Sequence, residues 1–135
     1  MIALDTNVLA RYLLADDPAQ ARAARALLQD AEAEYFIPIT VTLELAWVLR
    51  SSNTPRVAIV EPLRELLSLP NVKPQLAEAV FQALRWAEGG LEIADALHLA
   101  LSAKSGRFLS FDLDLAKRAA RAGAQPRVAA PKKSK

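Results

Sequence analysis

The sequence predicts an α/β fold with a largely parallel sheet, because short apolar stretches alternate with helix-forming ones from end to end. The punctuation agrees: Asp17-Pro18 stands where a helix should begin, and Gly89-Gly90, Gly106 and Gly123 stand where helices should end. The 135 residues fit one ordinary domain of roughly 100–200 residues, and no internal repeat divides them.

Taken in order, Met1 to Leu4 reads as a strand closed by Asp5, and Thr6-Asn7 caps a helix through Leu14. A second helix runs from Pro18 to about Glu34, with apolar positions at three- and four-residue spacing. Tyr35 to Ile39 is aromatic and β-branched and reads as a strand, followed by a helix to Arg50. Arg56 to Leu69 is helical, with a kink or restart expected at Pro62, where proline removes a backbone donor. Asn71-Val72-Lys73 is a strand candidate, Pro74 to Ala87 a helix, and Ile93 to Lys104 another. Arg107 to Phe111 is a strand ended by Asp112, Leu113 to Ala122 a helix, and Pro126-Arg127-Val128 a final edge strand.

Hydrophobic residues at 53% and charged residues at 24% describe a globular chain rather than a disordered one. Zero Cys removes disulfides, thiolate metal sites and cysteine nucleophiles, and the single His98 removes multi-histidine sites. No apolar run reaches the roughly 18 residues of a membrane span, and Asp5 interrupts any signal-peptide core. The expectation is a soluble, unexported, cytoplasmic protein with no membrane partner. Of 17 basic residues, Lys132, Lys133 and Lys135 sit in the tail, leaving 14 against 15 acidic ones in a near-neutral body. Residues 129–135 therefore read as a basic, disordered tail, a solvated terminus or a non-specific phosphate contact, beyond a folded domain of residues 1–128. Whatever chemistry the chain performs must lean on oxygen ligands.

In parallel α/β sheets, strand C-termini and helix N-termini share the edge where ligands bind. Asp5, Glu44, Asp95 and Asp112 map to that edge, whereas Asp16, Asp30, Glu32, Glu34, Glu61, Glu65 and Glu88 fall in helix bodies or ends. Each of the four has a plainer role: Asp5 and Asp112 as caps, Glu44 and Asp95 as complements to helix dipoles. Glu44 resists that role, because its helical neighbours are Val41, Trp47 and Val48, an apolar face on which a carboxylate needs a partner. Four converging acids repel one another unless a divalent ion neutralises them, and all-oxygen ligands select Mg²⁺ or Mn²⁺. Such an ion suits phosphodiester hydrolysis by activated water.

These segments resemble the PIN-domain ribonucleases, and among them the VapC-type toxins of bacterial toxin–antitoxin pairs. The carriers are Ile2-Ala3-Leu4-Asp5-Thr6-Asn7-Val8-Leu9, Leu43-Glu44-Leu45, Ile93-Ala94-Asp95-Ala96-Leu97-His98-Leu99-Ala100 and Leu109-Ser110-Phe111-Asp112, in this order up to about Val128. The resemblance implies a three-layer sandwich, with a mainly parallel four- to five-stranded sheet flanked by helices. It implies Asp5, Glu44, Asp95 and Asp112 as catalytic ligands of Mg²⁺ or Mn²⁺, with Thr6 and Ser110 as their hydrogen-bond partners. It further implies endonucleolytic cleavage of RNA, a homodimer, and a cognate antitoxin that obstructs the site. Asp114 and Asn7 are additional candidates beside these positions. Arg11 is either a phosphate contact or a solvated helix charge; His98, three residues after Asp95, reads as a core or helix-packing residue rather than half of a metal pair, and Trp47 and Trp86 as core rather than base-stacking platforms.

The competing classes are a catalytically silent partner-binding module of the same fold and another metal-dependent phosphohydrolase. A haloacid-dehalogenase-like phosphatase wants Asp-x-Asp after its first strand, yet Asp112-Leu113-Asp114 comes near the end. A response-regulator receiver wants paired acids early. Dinucleotide binding lacks its glycine-rich loop, since the chain has only four Gly.

Overall fold

The computed structural model describes residues 1–132 and divides the chain into two compact units, Met1–Ala77 and Glu78–Lys135. Residues 133–135, the end of the expected basic tail, lie outside the described residues.

In the first unit, β1 (Ile2–Ala3), β2 (Tyr35–Ile37) and β3 (Val72–Pro74) form a parallel sheet in the order β1-β2-β3. Ile2 pairs with Tyr35, and Tyr35 with Val72. Helices α1 (Thr6–Leu14), α2 (Pro18–Leu28), α3 (Ile39–Ser51) and α4 (Arg56–Leu67) connect the strands, and α1 packs on both α2 and α3. The core consists of the apolar faces of these elements, with Leu9, Ile37, Leu45 and Leu63 fully buried.

Local chemistry explains where the helices stop. The expected helix to Glu34 ends at Leu28, because the Asn71 side-chain amide donates to the Leu28 and Asp30 carbonyls, satisfying backbone acceptors at the helix terminus. The Tyr35 hydroxyl donates to the Leu27 carbonyl at 2.8 Å and ties the same end to β2. At the other end, Asp17 accepts from the Gln20 N–H and Pro18 takes the first helical position. The kink or restart expected at Pro62 does not form a break: α4 is continuous from Arg56 to Leu67 with Pro62 exposed. Its buried residues Ile59, Val60, Leu63, Leu66 and Leu67 anchor both halves, so packing outweighs the missing backbone bond.

In the second unit, α5 (Ala77–Glu88), which begins at the boundary, is followed by α6 (Ile93–Ala100), β4 (Arg107–Leu109), α7 (Leu113–Ala122) and β5 (Arg127–Ala129). β4 and β5 pair in parallel, with Phe108 opposite Val128. Among the described residues all strand pairs are thus parallel, as expected, hydrogen-bonded as one three-stranded and one two-stranded sheet. Pro74 closes β3 rather than opening α5, and α6 ends at Ala100 instead of Lys104. Gly123 ends α7 in the left-handed region at φ 72, donating to the Ala119 and Ala120 carbonyls, a conformation that suits glycine.

A buried hydroxyl in α3 lacks compensation. Among the described residues, the Thr42 hydroxyl of α3 is buried, at 1% exposure, without a hydrogen-bond partner. Thr42→Val keeps the shape and removes the uncompensated group, so it is expected to raise stability by about 1 kcal/mol. Urea denaturation checks this through a higher midpoint at unchanged slope.

Candidate active site

The parallel sheet of the first unit places Asp5 just beyond β1 and Glu44 on the helix that follows β2. Asp5 occupies the N-cap position of α1 with extended backbone, yet its side chain makes no capping bond. Asp17 and Asp112, in the same position of their own helices, do cap. Local helix chemistry therefore does not consume the Asp5 carboxylate.

Thr6, buried at the first position of α1, donates its hydroxyl to Glu44 Oε1 on α3. This bond joins the two helices and gives Glu44 a fixed partner. The reason inferred from sequence for that need is corrected: Glu44 and Trp47 lie on an outward face, Trp47 being 66% exposed rather than in the core. Glu44 is an exposed carboxylate held by a buried hydroxyl. A cavity of about 320 Å³ between α1 and α3 is lined by Thr6, Asn7, Arg11, Asp16, Glu44 and Ser52, among others.

Arg11 belongs to the same cavity. Its Nη1 donates to both Asp16 oxygens at 2.8 and 2.9 Å, and its Nε donates to Gln20 Oε1 at 2.8 Å. The guanidinium beside Asp16 holds that carboxyl below the usual range and keeps the pair ionised. Arg11 is thus a paired surface charge at the cavity edge, its side chain 37% exposed.

The second unit holds the remaining acids. Asp95 lies in the first turn of α6, and Asp112 caps α7, accepting from the Leu115 N–H at 3.1 Å through Oδ1. Ser110 Oγ accepts from the Asp112 backbone N–H at 3.0 Å, which orders the turn between β4 and α7. Burial pushes the Asp95 carboxyl up; Arg118 and His98 oppose this, while Asp112 and Glu92 add like-charge repulsion. Arg118 was not singled out from sequence. Its Nε donates to the Asp114 main-chain carbonyl at 3.3 Å, a contact that no residue type in the sequence announces. Asp114 is exposed on the first turn of α7. His98 is exposed and stacks on Phe108, with ring centroids 6.5 Å apart and planes 18° from parallel. Trp86 is half-buried.

Because the folded state binds its Asp95 proton more tightly than the unfolded chain does, this residue lowers stability as pH rises through its raised pKa. In acid, where both states are protonated, the effect disappears. Asp95→Asn is therefore expected to raise the Tm of the metal-free protein near neutral pH, with the gain shrinking in acid. Thermal unfolding of both proteins across that range checks it.

The four acids singled out from sequence are carboxylates, Asp5 and Glu44 in one unit and Asp95 and Asp112 in the other, and carboxylate oxygens are the donor type that hard divalent cations prefer. Among the described residues, no three His, Cys, Asp or Glu side chains stand as a ready-made metal group. Of the four, Asp95 and Asp112 lie close enough to repel one another, and burial disfavours the Asp95 charge.

An α/β fold with parallel strands defines a class in which ligands bind at the carboxyl edge of the sheet, the edge that Asp5 follows. The family model of the PIN domain matches residues 2–121, nearly the whole chain and parts of both units, and the chain belongs to that family. PIN domains are generally nucleases acting on RNA or DNA, and they typically bind divalent metal ions. No curated protein and no solved structure matches the chain. No helix among the described residues is long and apolar enough to cross a membrane.

Proposed function

We propose that this chain is a metal-dependent endoribonuclease, the VapC-type toxin of a toxin–antitoxin pair, that uses Mg²⁺ or Mn²⁺ to hydrolyse RNA phosphodiester bonds. The carrying observation is geometric: Asp5 ends β1 at the N-cap of α1 without spending its carboxylate on a capping bond, and the next residue, Thr6, holds the Glu44 carboxylate of α3. Asp5, Glu44, Asp95 and Asp112 would hold the ion, and residues 1–128 would act as one nuclease domain. When bound, a divalent ion supplies charge that offsets the developing negative charge on phosphate and makes water a nucleophile at neutral pH.

The chain's own groups have separable tasks in this reading. Thr6 orients Glu44 by donating to Oε1, leaving the other carboxylate oxygen for the cation or for a water proton. Asp112 spends Oδ1 on the α7 cap, and Oδ2 is the atom it would offer. Ser110 fixes the backbone at Asp112 through its hydroxyl. Arg118 offsets charge near Asp95 and would limit repulsion there before a cation binds.

The cognate antitoxin, a homodimer and a cytoplasmic site of action belong to the same proposal, supported by the matching segments around Asp5, Glu44, Asp95 and Asp112. Purified protein freed of any partner is expected to cut single-stranded RNA in Mg²⁺ or Mn²⁺, and to stop in chelator and as Glu44→Gln. Folded protein that binds no divalent ion and leaves RNA intact would favour a silent partner-binding module. Light scattering tests the dimer, and co-purification with the product of a small neighbouring reading frame tests the antitoxin. Sequencing the RNA ends produced on induction, beside Asp5→Asn, identifies the target.

A further inference from the structure

Two cavities of the first unit share one rim. Besides the cavity that contains Thr6 and Glu44, a slot of about 400 Å³ opens between α1 and α2, with Val8, Ala23, Ala24 and Leu27 as apolar walls and Gln20 at its edge. Asn7 and Arg11, four residues apart on one face of α1, line both cavities. The slot has the size and composition of a small-ligand site: mostly apolar walls with a few placed polar groups. The rim is also pre-set. Gln20 holds Arg11 Nε and Asp16 holds Nη1, while Nη2 makes no hydrogen bond to any described residue, leaving its donors for a ligand.

We propose that this slot is a nucleotide subsite: one base of the RNA, next to the bond being cut, enters between α1 and α2, its phosphate rests on Arg11, and Asn7 contacts the base edge. The assignment rests on the nuclease reading above and extends it to a specificity element. Three observations select this occupant. A guanidinium with unused donors suits phosphate, an apolar slot beside it suits a heterocycle, and the shared rim places the nucleotide next to Glu44. Asp16 and Gln20 act as positioning residues, holding the guanidinium at Nη1 and Nε so that little side-chain freedom is lost on binding.

The test is binding of a labelled single-stranded RNA of about eight nucleotides, within the usual site size of single-strand binders, in Ca²⁺ and separately in chelator. Ala23→Phe fills the slot from an exposed position of α2, and Ala26→Phe, exposed on the same helix and lining neither cavity, is the control. Ala23→Phe is expected to weaken binding about tenfold, within the range of one lost base contact. Ala26→Phe is expected to bind like the unaltered protein. Arg11→Ala is expected to weaken binding and to make the dependence of log affinity on log salt shallower by about 0.7, the share of one single-strand phosphate contact. A merely structural role for Arg11 would lower the Tm without moving that slope.

Equal affinities for Ala23→Phe and Ala26→Phe, an unchanged salt slope in Arg11→Ala, or no RNA binding in either condition would overturn the subsite. So would loss of a co-purifying protein in Ala23→Phe with RNA affinity intact, which would assign the slot to a protein segment. Cleavage in Mn²⁺ is read separately. RNA binding that depends on Ala23 and Arg11 in a protein that never cuts would keep the subsite and sink the nuclease reading.

Discussion

Asp5→Asn and Asp95→Asn are each expected to lower metal-dependent RNA cleavage by more than about 100-fold, beyond the 10–100-fold that loss of an outer-shell partner typically costs. Asparagine keeps the size of either side chain and removes the negative charge a divalent cation needs. The folds should survive for different reasons. Asp5 makes no capping bond whose loss would weaken α1, and Asp95 carries a charge whose surroundings disfavour it. The variants should therefore be inactive at unchanged or raised stability, a combination that a purely structural role for either acid does not produce. Thr6→Val should fall between these variants and the unaltered protein, about 10–100-fold down, because it removes the donor that orients Glu44 but leaves every carboxylate. Initial rates on one labelled RNA, with Tm measured on the same preparations, check all three.

Leu9→Ala is expected to cost about 2–5 kcal/mol, the usual range for a buried leucine truncated in a packed interior. Leu9 is 0% exposed on α1, the helix that carries Thr6, Asn7 and Arg11 and packs on both α2 and α3. A domain of this size has roughly 5–15 kcal/mol in all, so the loss should be plain in urea denaturation. Ile59→Val, equally well buried on α4, removes a single methylene and should cost only about 0.5–1.5 kcal/mol. Similar losses for both would mean that the space around Leu9 collapses to fill the cavity.

Much of this architecture was legible before any coordinates. Asp17-Pro18 marks the start of α2, Gly123 the end of α7, and Tyr35 to Ile37 a strand, because each signal is local and nothing distant opposes it. The misreadings arose where distant groups decide. The composition from Pro18 to Glu34 is helical throughout, yet α2 stops at Leu28 because Asn71, far along the chain, takes up its terminal carbonyl. Pro62 is locally a breaker, yet the buried residues on either side of it hold α4 continuous. The same division runs through the candidate site. Asp5 and Asp112 stand out because they follow strands and open helices, Asp95 because it lies in the first turn of α6, and Glu44 because it lies on the helix after β2. Spacing could not show that Glu44 faces outward and is held by Thr6, or that Arg11 is clamped by Asp16 and Gln20, since those contacts depend on how α1 packs on α2 and α3. The exposed Trp47 teaches the same point: an apolar neighbourhood along a helix does not say which face is covered.

The most direct test of the central claim is a calorimetric titration of Mn²⁺ into the unaltered protein, Asp5→Asn, Asp95→Asn and the double variant. If the acids of both units serve one cation, either single substitution removes most of the affinity, and the double variant loses far less than the sum of the two losses. Additive losses, or Mn²⁺ binding that survives either substitution unchanged, would mean that these carboxylates do not share an ion.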